Sequence, residues 1–127
     1  MNDGIQARKQ AAVDFLRLVV AGRIDEAYDT YVDMRGKHHN LYFPAGFPAL
    51  KKAMNENHVQ FPNKRITVKN VIADGDLVAA HSHVTLNSGD KNFAVVHVFR
   101  FQGNKIMELW DVGQLLQADS PNTDGAF

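Results

Sequence analysis

Between Leu77 and Leu86 the chain reads LVAAHSHVTL, and within this strand-like run two histidines, His81 and His83, stand two residues apart. Residues i and i+2 of a strand project from one face about 6.6–6.8 Å apart, so both imidazoles point the same way as Leu77 and Ala79. Val78, Ala80, Ser82 and Val84 point the other way, and both faces are too apolar to read as open to water. Further on, AVVHVFRF groups His97 with Val95, Phe99 and Phe101, and ELWDVG groups Asp111 with Leu109 and Gly113, opposite Glu108, Trp110 and Val112. If register brings Asp111 beside His97 or His83, an imidazole and a carboxylate meet in an apolar cavity. Desolvation and mutual charge then move both toward neutrality, which is what general acid/base catalysis needs.

The aromatic stretch HHNLYFPAGF adds to this set: His39 and Asn40 as hydrogen-bonding groups at the cavity mouth, with Tyr42, Phe43 and Phe47 as apolar walls. The plainer reading of a lone strand histidine is a packed side chain with satisfied nitrogens. Three histidines and an aspartate on three neighbouring strands carry more weight than one. His38 reads as a solvated loop residue, and His58 as a flank of a helix C-terminus, where a cationic ring is favoured. An H-x-H pair with a third ligand across the sheet can hold a metal. No third ligand is identifiable, so a metal-free, cofactor-free pocket is expected. Trp110 suits core or interface packing first and pocket lining second. Ser82 points away from His81 and His83, which leaves no nucleophilic triad, and no glycine-rich phosphate loop occurs.

The elements that must position these residues are legible in the hydrophobic periodicity. Ala12, Phe15, Leu16, Val19 and Val20 recur at helical spacing, with Ile5 extending the stripe and Gly22 ending it. IDEAYDTYV predicts a second, short helix with acidic residues in its first turn. The stretch DMRGKHHNLYFPAGF reads as a loop closing over something, and Pro48 opens a third helix that stops before Pro62. Beyond Pro62 the period becomes two: RITVKNVIA, DLVAAHSHVTL, KNFAVVHVFRF and KIMELWDVGQ predict four strands. Short turns at Asp74 to Asp76, Asn87 to Asp90 and Gln102 to Lys105 imply successive antiparallel pairing. The fold class is therefore α+β, one domain over 1–127: helices about 5–60 covering one face of a curved sheet of strands about 65–113. The tail QADSPNTDGAF is polar and is expected to fray or pack loosely.

A chain of 127 residues suffices for one domain with a genuine core. Lys plus Arg number 14 and Asp plus Glu number 14, so no net field steers the protein onto nucleic acid or an anionic membrane. A small, hydrophobic or weakly polar ligand fits better. No run approaches the roughly 18–20 apolar residues of a membrane span, and none of secretory type follows the charged N-terminus. With no cysteine in the chain, a cytoplasmic location is the expectation.

VIADGDLVAAHSHV followed by AVVHVFRFQGNKIMELWDVGQ resembles the SnoaL-like group of the nuclear transport factor 2-like superfamily, small bacterial proteins often described as polyketide cyclases or aldol-condensation enzymes. The likeness runs from Tyr31 to Gln114. It implies a cone-shaped, cystatin-like α+β barrel: a strongly curved antiparallel sheet wrapped around the N-terminal helices, a deep hydrophobic pocket and a homodimer built through the sheet. Enzymes of the group use a pocket His or Asp to move protons beside a carbonyl, in aldol cyclisation, isomerisation or dehydration. Other members only bind small molecules, so the fold does not fix the function. The resemblance carries a loop His-Asn onto His39 and Asn40, a paired-histidine strand onto His81 and His83, and a Trp-Asp pair onto Trp110 and Asp111. Two positions depart from it. His97 stands where such sequences commonly have aspartate, and Leu41 stands where proline usually follows the asparagine.

Two functional readings result. In the first, His97 or Asp111 removes the proton α to a carbonyl while His83 or His39 stabilises or protonates the enolate oxygen. Asn40, His81, Tyr42, Phe43, Phe99 and Trp110 would then contact substrate. In the second, the same pocket binds a ligand or supports a dimer without turnover. Both the acid/base and the metal reading require His83, His97 and Asp111 to share one cavity.

Overall fold

The computed structural model describes residues 2–87 and 91–127. Helix α1 (Asn2–Val20) buries Ala12, Phe15 and Leu16, the stripe its sequence spacing predicts. It ends where Gly22 takes a φ of 86° and Arg23 N–H donates to the Leu18 carbonyl at 2.9 Å. A side chain at position 22 would run into the His58 ring. His58, on α3 (Phe47–Gln60), therefore packs onto the α1–α2 turn rather than only flanking its own helix end. Helix α2 (Ile24–Tyr31) turns Ile24, Ala27 and Tyr28 into the core.

The polar stretch after α2 is not wholly loop. Val32–His38 forms a strand, β1, in which Val32 and His38 are buried while Arg35 and Lys37 are exposed. The four expected strands follow as β2 (Arg65–Asp74), β3 (Leu77–Thr85), β4 (Asn92–Gln102) and β5 (Lys105–Leu115). They make one five-stranded curved sheet of order β1-β5-β4-β3-β2, antiparallel except where β1 runs parallel to β5. The turn expected at Asn87 to Asp90 lies, beyond Asn87, outside the described residues. The fold is thus α+β, with the helices against one face of the sheet.

Aromatic edges knit that junction. Phe15 meets Tyr28 at 5.2 Å and Phe99 at 5.9 Å between centroids, and Tyr28 meets Phe47 at 6.4 Å, all near perpendicular. Val78, Ala80, Phe99, Phe101, Ile106 and Leu109 complete the core from the sheet. The tail beyond Leu115 is mostly exposed, yet its last residue returns to the sheet. The Phe127 ring lies 5.5 Å from His81 and 5.0 Å from His83, with the Lys69 ammonium 5.3 Å from its centroid. No helix among the described residues is long and apolar enough to cross a membrane.

Candidate functional site

Register decides which side chains meet. Across β4 and β5 His97 pairs with Asp111, Val95 with Gly113 and Phe99 with Leu109. Across β3 and β4 Ala80 pairs with His97, and Ser82 with Val95. Directly opposed residues share a face, so His97, Asp111, Ala80, Ser82 and Phe99 all face the helices. One residue on, every side chain reverses. His81 pairs with Val96, His83 with Ala94 and Trp110 with Val98, all on the outer face. The same alternation runs through β1 and past its end: His38 lies beside Leu109 on the inner side, and Lys37 beside Glu108 on the outer. His39 N–H donates to the Leu109 carbonyl at 2.8 Å, which sends the His39 ring outward and the Asn40 amide inward.

Asn40 consequently reaches the pair on β4 and β5. Its Nδ2 donates to Asp111 Oδ2 at 2.8 Å, while its Oδ1 accepts the Tyr42 backbone N–H at 3.0 Å. Below it the buried His38 ring pins the loop: Nδ1 accepts the Asn40 N–H at 3.1 Å and Nε2 lies 2.8 Å from the Pro44 carbonyl. A nitrogen that accepts an N–H leaves the proton on the other, so His38 is the neutral Nε2–H tautomer. It is a structural residue and not the solvated one expected.

His97 is unlike it. Neither ring nitrogen has a hydrogen-bond partner among the described residues, and Nδ1 is fully buried. Burial pushes the His97 imidazole below the ordinary histidine value, and the adjacent Asp111 carboxylate opposes that shift. The ring stacks on Phe99 at 6.1 Å. Ser82 Oγ is likewise buried and unpaired on the same face. Burial, with the Asp111 charge second, raises the Tyr28 phenol. His97, Asp111 and Asn40 border a cleft of about 740 Å³ whose other walls include Leu16, Val19, Met54, Ile66, Phe93 and Val95. The arrangement offers one carboxylate, oriented by an amide, beside one uncharged imidazole in an apolar recess.

Several expected members stand elsewhere. His81 and His83 are on the outer face: His81 Nδ1 lies 3.2 Å from the Asn70 amide, and His83 Nε2 lies 2.9 Å from Asn92 Oδ1. The requirement that His83 share the cavity with His97 and Asp111 is not met, because strand positions 83 and 97 have opposite parity in this register. By the requirement set above, the metal reading and the acid/base reading in its first form, with His83 or His39 at the enolate oxygen, both fail. Among the described residues no three His, Asp or Glu side chains gather as a metal site would need. Phe99 is fully buried in the core, and Phe43 packs against that core rather than lining the cleft. Tyr42 and Leu41 border the cleft on the loop at 91% and 96% exposure. His39 and Trp110 border it too, but their rings stack on each other at 5.1 Å on the far side of β5. There His39 Nε2 lies 2.6 Å from Glu108 Oε2, and Arg100 Nε donates to Glu108 Oε1 at 3.0 Å. These two partners hold the Glu108 carboxyl below the usual carboxylate range, His39 foremost.

Two cleft residues escaped the sequence reading. Lys64, just before β2, and Asn57, in the last turn of α3, both line the cleft, and Lys64 Nζ donates to Asn57 Oδ1 at 2.6 Å. Burial lowers the Lys64 amine from its ordinary value. The parity of β2 carries the signal: Lys64 lies two before Ile66, itself paired with the inward Val84.

Residues 12–109 match the model of the SnoaL-like domain. No curated protein matches the sequence. Among solved structures, a candidate polyketide cyclase from Bacillus cereus is 25% identical, with a TM-score of 0.70 over 82% of this chain and 72% of that one. A candidate ketosteroid isomerase from Kribbella flavida is 16% identical, with a TM-score of 0.72 over 93% and 85%. A candidate polyketide cyclase from Acidithiobacillus ferrooxidans is 19% identical, with a TM-score of 0.71 over 85% and 88%.

Proposed function

The chain belongs to the SnoaL-like domain family, and from that premise we propose that it is a cofactor-independent acid/base enzyme acting beside the carbonyl of a small, largely apolar molecule. The observation that carries this reading is the pairing of His97 with Asp111 on the inner sheet face, at a cleft where Asn40 holds the carboxylate. With its carbonyl oxygen toward His97, a ligand presents its α C–H to the Asp111 oxygen that Asn40 leaves open. The C–H bond breaks, the proton passes to the carboxylate, and the electron pair moves into an enolate oxygen. The uncharged His97 ring donates its N–H to that oxygen, and the proton returns to carbon at the same or a neighbouring position. The neighbouring folds described as polyketide cyclases and a ketosteroid isomerase support chemistry of this class. A homodimer through the outer sheet face and a cytoplasmic location belong to the same proposal.

Exchange of the α protons of β-tetralone in deuterated water, followed by NMR, tests it. The protein should accelerate exchange. D111N and H97Q should each lose at least about a hundredfold of that acceleration, within the range of a single acid/base group, while keeping the circular dichroism of the parent. Unchanged exchange in both variants would sink the assignment.

A second reading is binding without turnover. One Asp111 oxygen is already engaged by Asn40, and no hydrogen bond joins Asp111 to His97 among the described residues. Under this reading a ligand raises the melting temperature by mass action and no exchange appears.

A further inference from the structure

We propose that the ligand of this cleft carries an anionic group, a carboxylate in the first instance, which Lys64 and Asn57 receive at the end remote from His97. The inference rests on the reading of the cleft as a carbonyl-compound site and adds the class of compound.

Lys64 and Asn57 meet in the cleft wall, and among the described residues the only acceptor for the ammonium is the Asn57 side-chain oxygen. An ammonium has three donors and Asn57 uses one. Among the described residues no carboxylate lies within ion-pair distance of Lys64, whereas Lys51 has Asp25 and Asp29, and Lys37 has Glu108. Around it the wall is apolar: Met54, Ile66, Leu86 and Phe93. A half-buried cation with spare donors and an apolar approach gains most from an anion that brings its own apolar body into the cleft.

Position fixes the length of that body. Ala80, level with His97, and Leu86, level with Lys64, are six residues apart on one strand course, about 20 Å at 3.3 Å per residue. The lysine side chain shortens that span. The ligand is therefore elongated, with its carbonyl near Asp111 and its anion at the cleft end formed by the α3 C-terminus. The Asn57 side-chain amide can supply a further donor beside the ammonium.

Calorimetric titration with ω-benzoylheptanoate, a phenyl ketone at one end and a carboxylate at the other, and with its methyl ester, tests the proposal. The parent should bind the acid about tenfold more tightly than the ester, as a charge-assisted hydrogen bond allows. K64M and K64Q should bind both equally at the affinity of the ester, and K64R should restore the preference. D111N should keep the preference even if α-proton exchange is absent from every variant, which separates this inference from the catalytic reading. Equal binding of acid and ester by the parent, a preference that survives in K64M or K64Q, or no binding of the acid overturns it. If the Lys64 variants merely melt lower and the preference persists, the ammonium is only a clasp on the end of α3.

Discussion

Asn40 links the Asp111 carboxylate to the backbone of the exposed turn carrying Leu41 and Tyr42. N40A should slow β-tetralone exchange about tenfold and lower unfolding free energy by about 1–3 kcal/mol, the worth of its two side-chain hydrogen bonds, measured by urea titration. His97 makes a pH prediction with a definite sign. Its folded pKa lies below the unfolded value of 6.5, so as pH falls below about 6.5 the unfolded chain binds the proton first and folding loses free energy. The melting-temperature advantage of the parent over H97Q should therefore be full above pH 7 and shrink toward pH 5. A constant difference across that range would contradict the assignment of His97 as a buried neutral ring. The effect of Glu108 lies in a separate, lower window, since its carboxyl is held below the carboxylate range and releases stability only as acidity reaches it. S82A should be neutral or slightly stabilising, because it removes a buried hydroxyl that has no partner among the described residues.

At the scale of elements, β1 decides whether the site assembles, because four residues after Gly36 comes Asn40. A side chain at Gly36 would run into the Met107 carbonyl on β5 and the Phe47 ring. G36A should cost about 1–3 kcal/mol, as overpacking does, and should reduce exchange beyond what N40A does by pulling the loop from Asp111. The sequence concealed this strand for a physical reason: its inward positions are Val32, Met34, Gly36 and His38, and a glycine and a histidine dilute the apolar count by which alternation is recognised. The four later strands were legible because β-branched and aromatic residues accumulate along them between short Gly-containing turns, and the helices because their apolar residues recur three or four apart. The inner pairing of His97 with Asp111 was open in the sequence as one of two registers. That His81 and His83 fall outside it was not readable, since β3 is apolar on both faces and only cross-strand register tells inside from outside. Lys64 was missed because a lysine ahead of a strand reads as solvated.

For the whole molecule, the outer sheet face, beyond the place where the Phe127 ring lies on His81 and His83, carries exposed apolar side chains. Val96, Val112 and Ile72 stand on it at 37%, 71% and 67% exposure. Their cross-strand partners His81, Val96 and Ala79 show that they share a face. Apolar side chains grouped in this way mark association surfaces more often than chance contacts. If two copies meet there, I72K should convert a dimer to a monomer in sedimentation velocity while leaving acid-over-ester binding in the cleft intact. Sedimentation of the parent as a monomer at micromolar concentration would remove the dimer from the proposal.

Alternation in β5 has a consequence for how such a protein changes over generations. Asp111 and Trp110 are adjacent in the chain but serve opposite faces of one sheet, and so do Asn40 and His39 at the end of β1. Gaining one residue upstream on β5, with pairing otherwise kept, would trade the carboxylate for an indole in the cleft. The same slip on β1 would trade the amide for an imidazole. Length changes of a single codon in these strands can therefore exchange one complete set of reactive groups for another, whereas point substitutions must replace them one at a time.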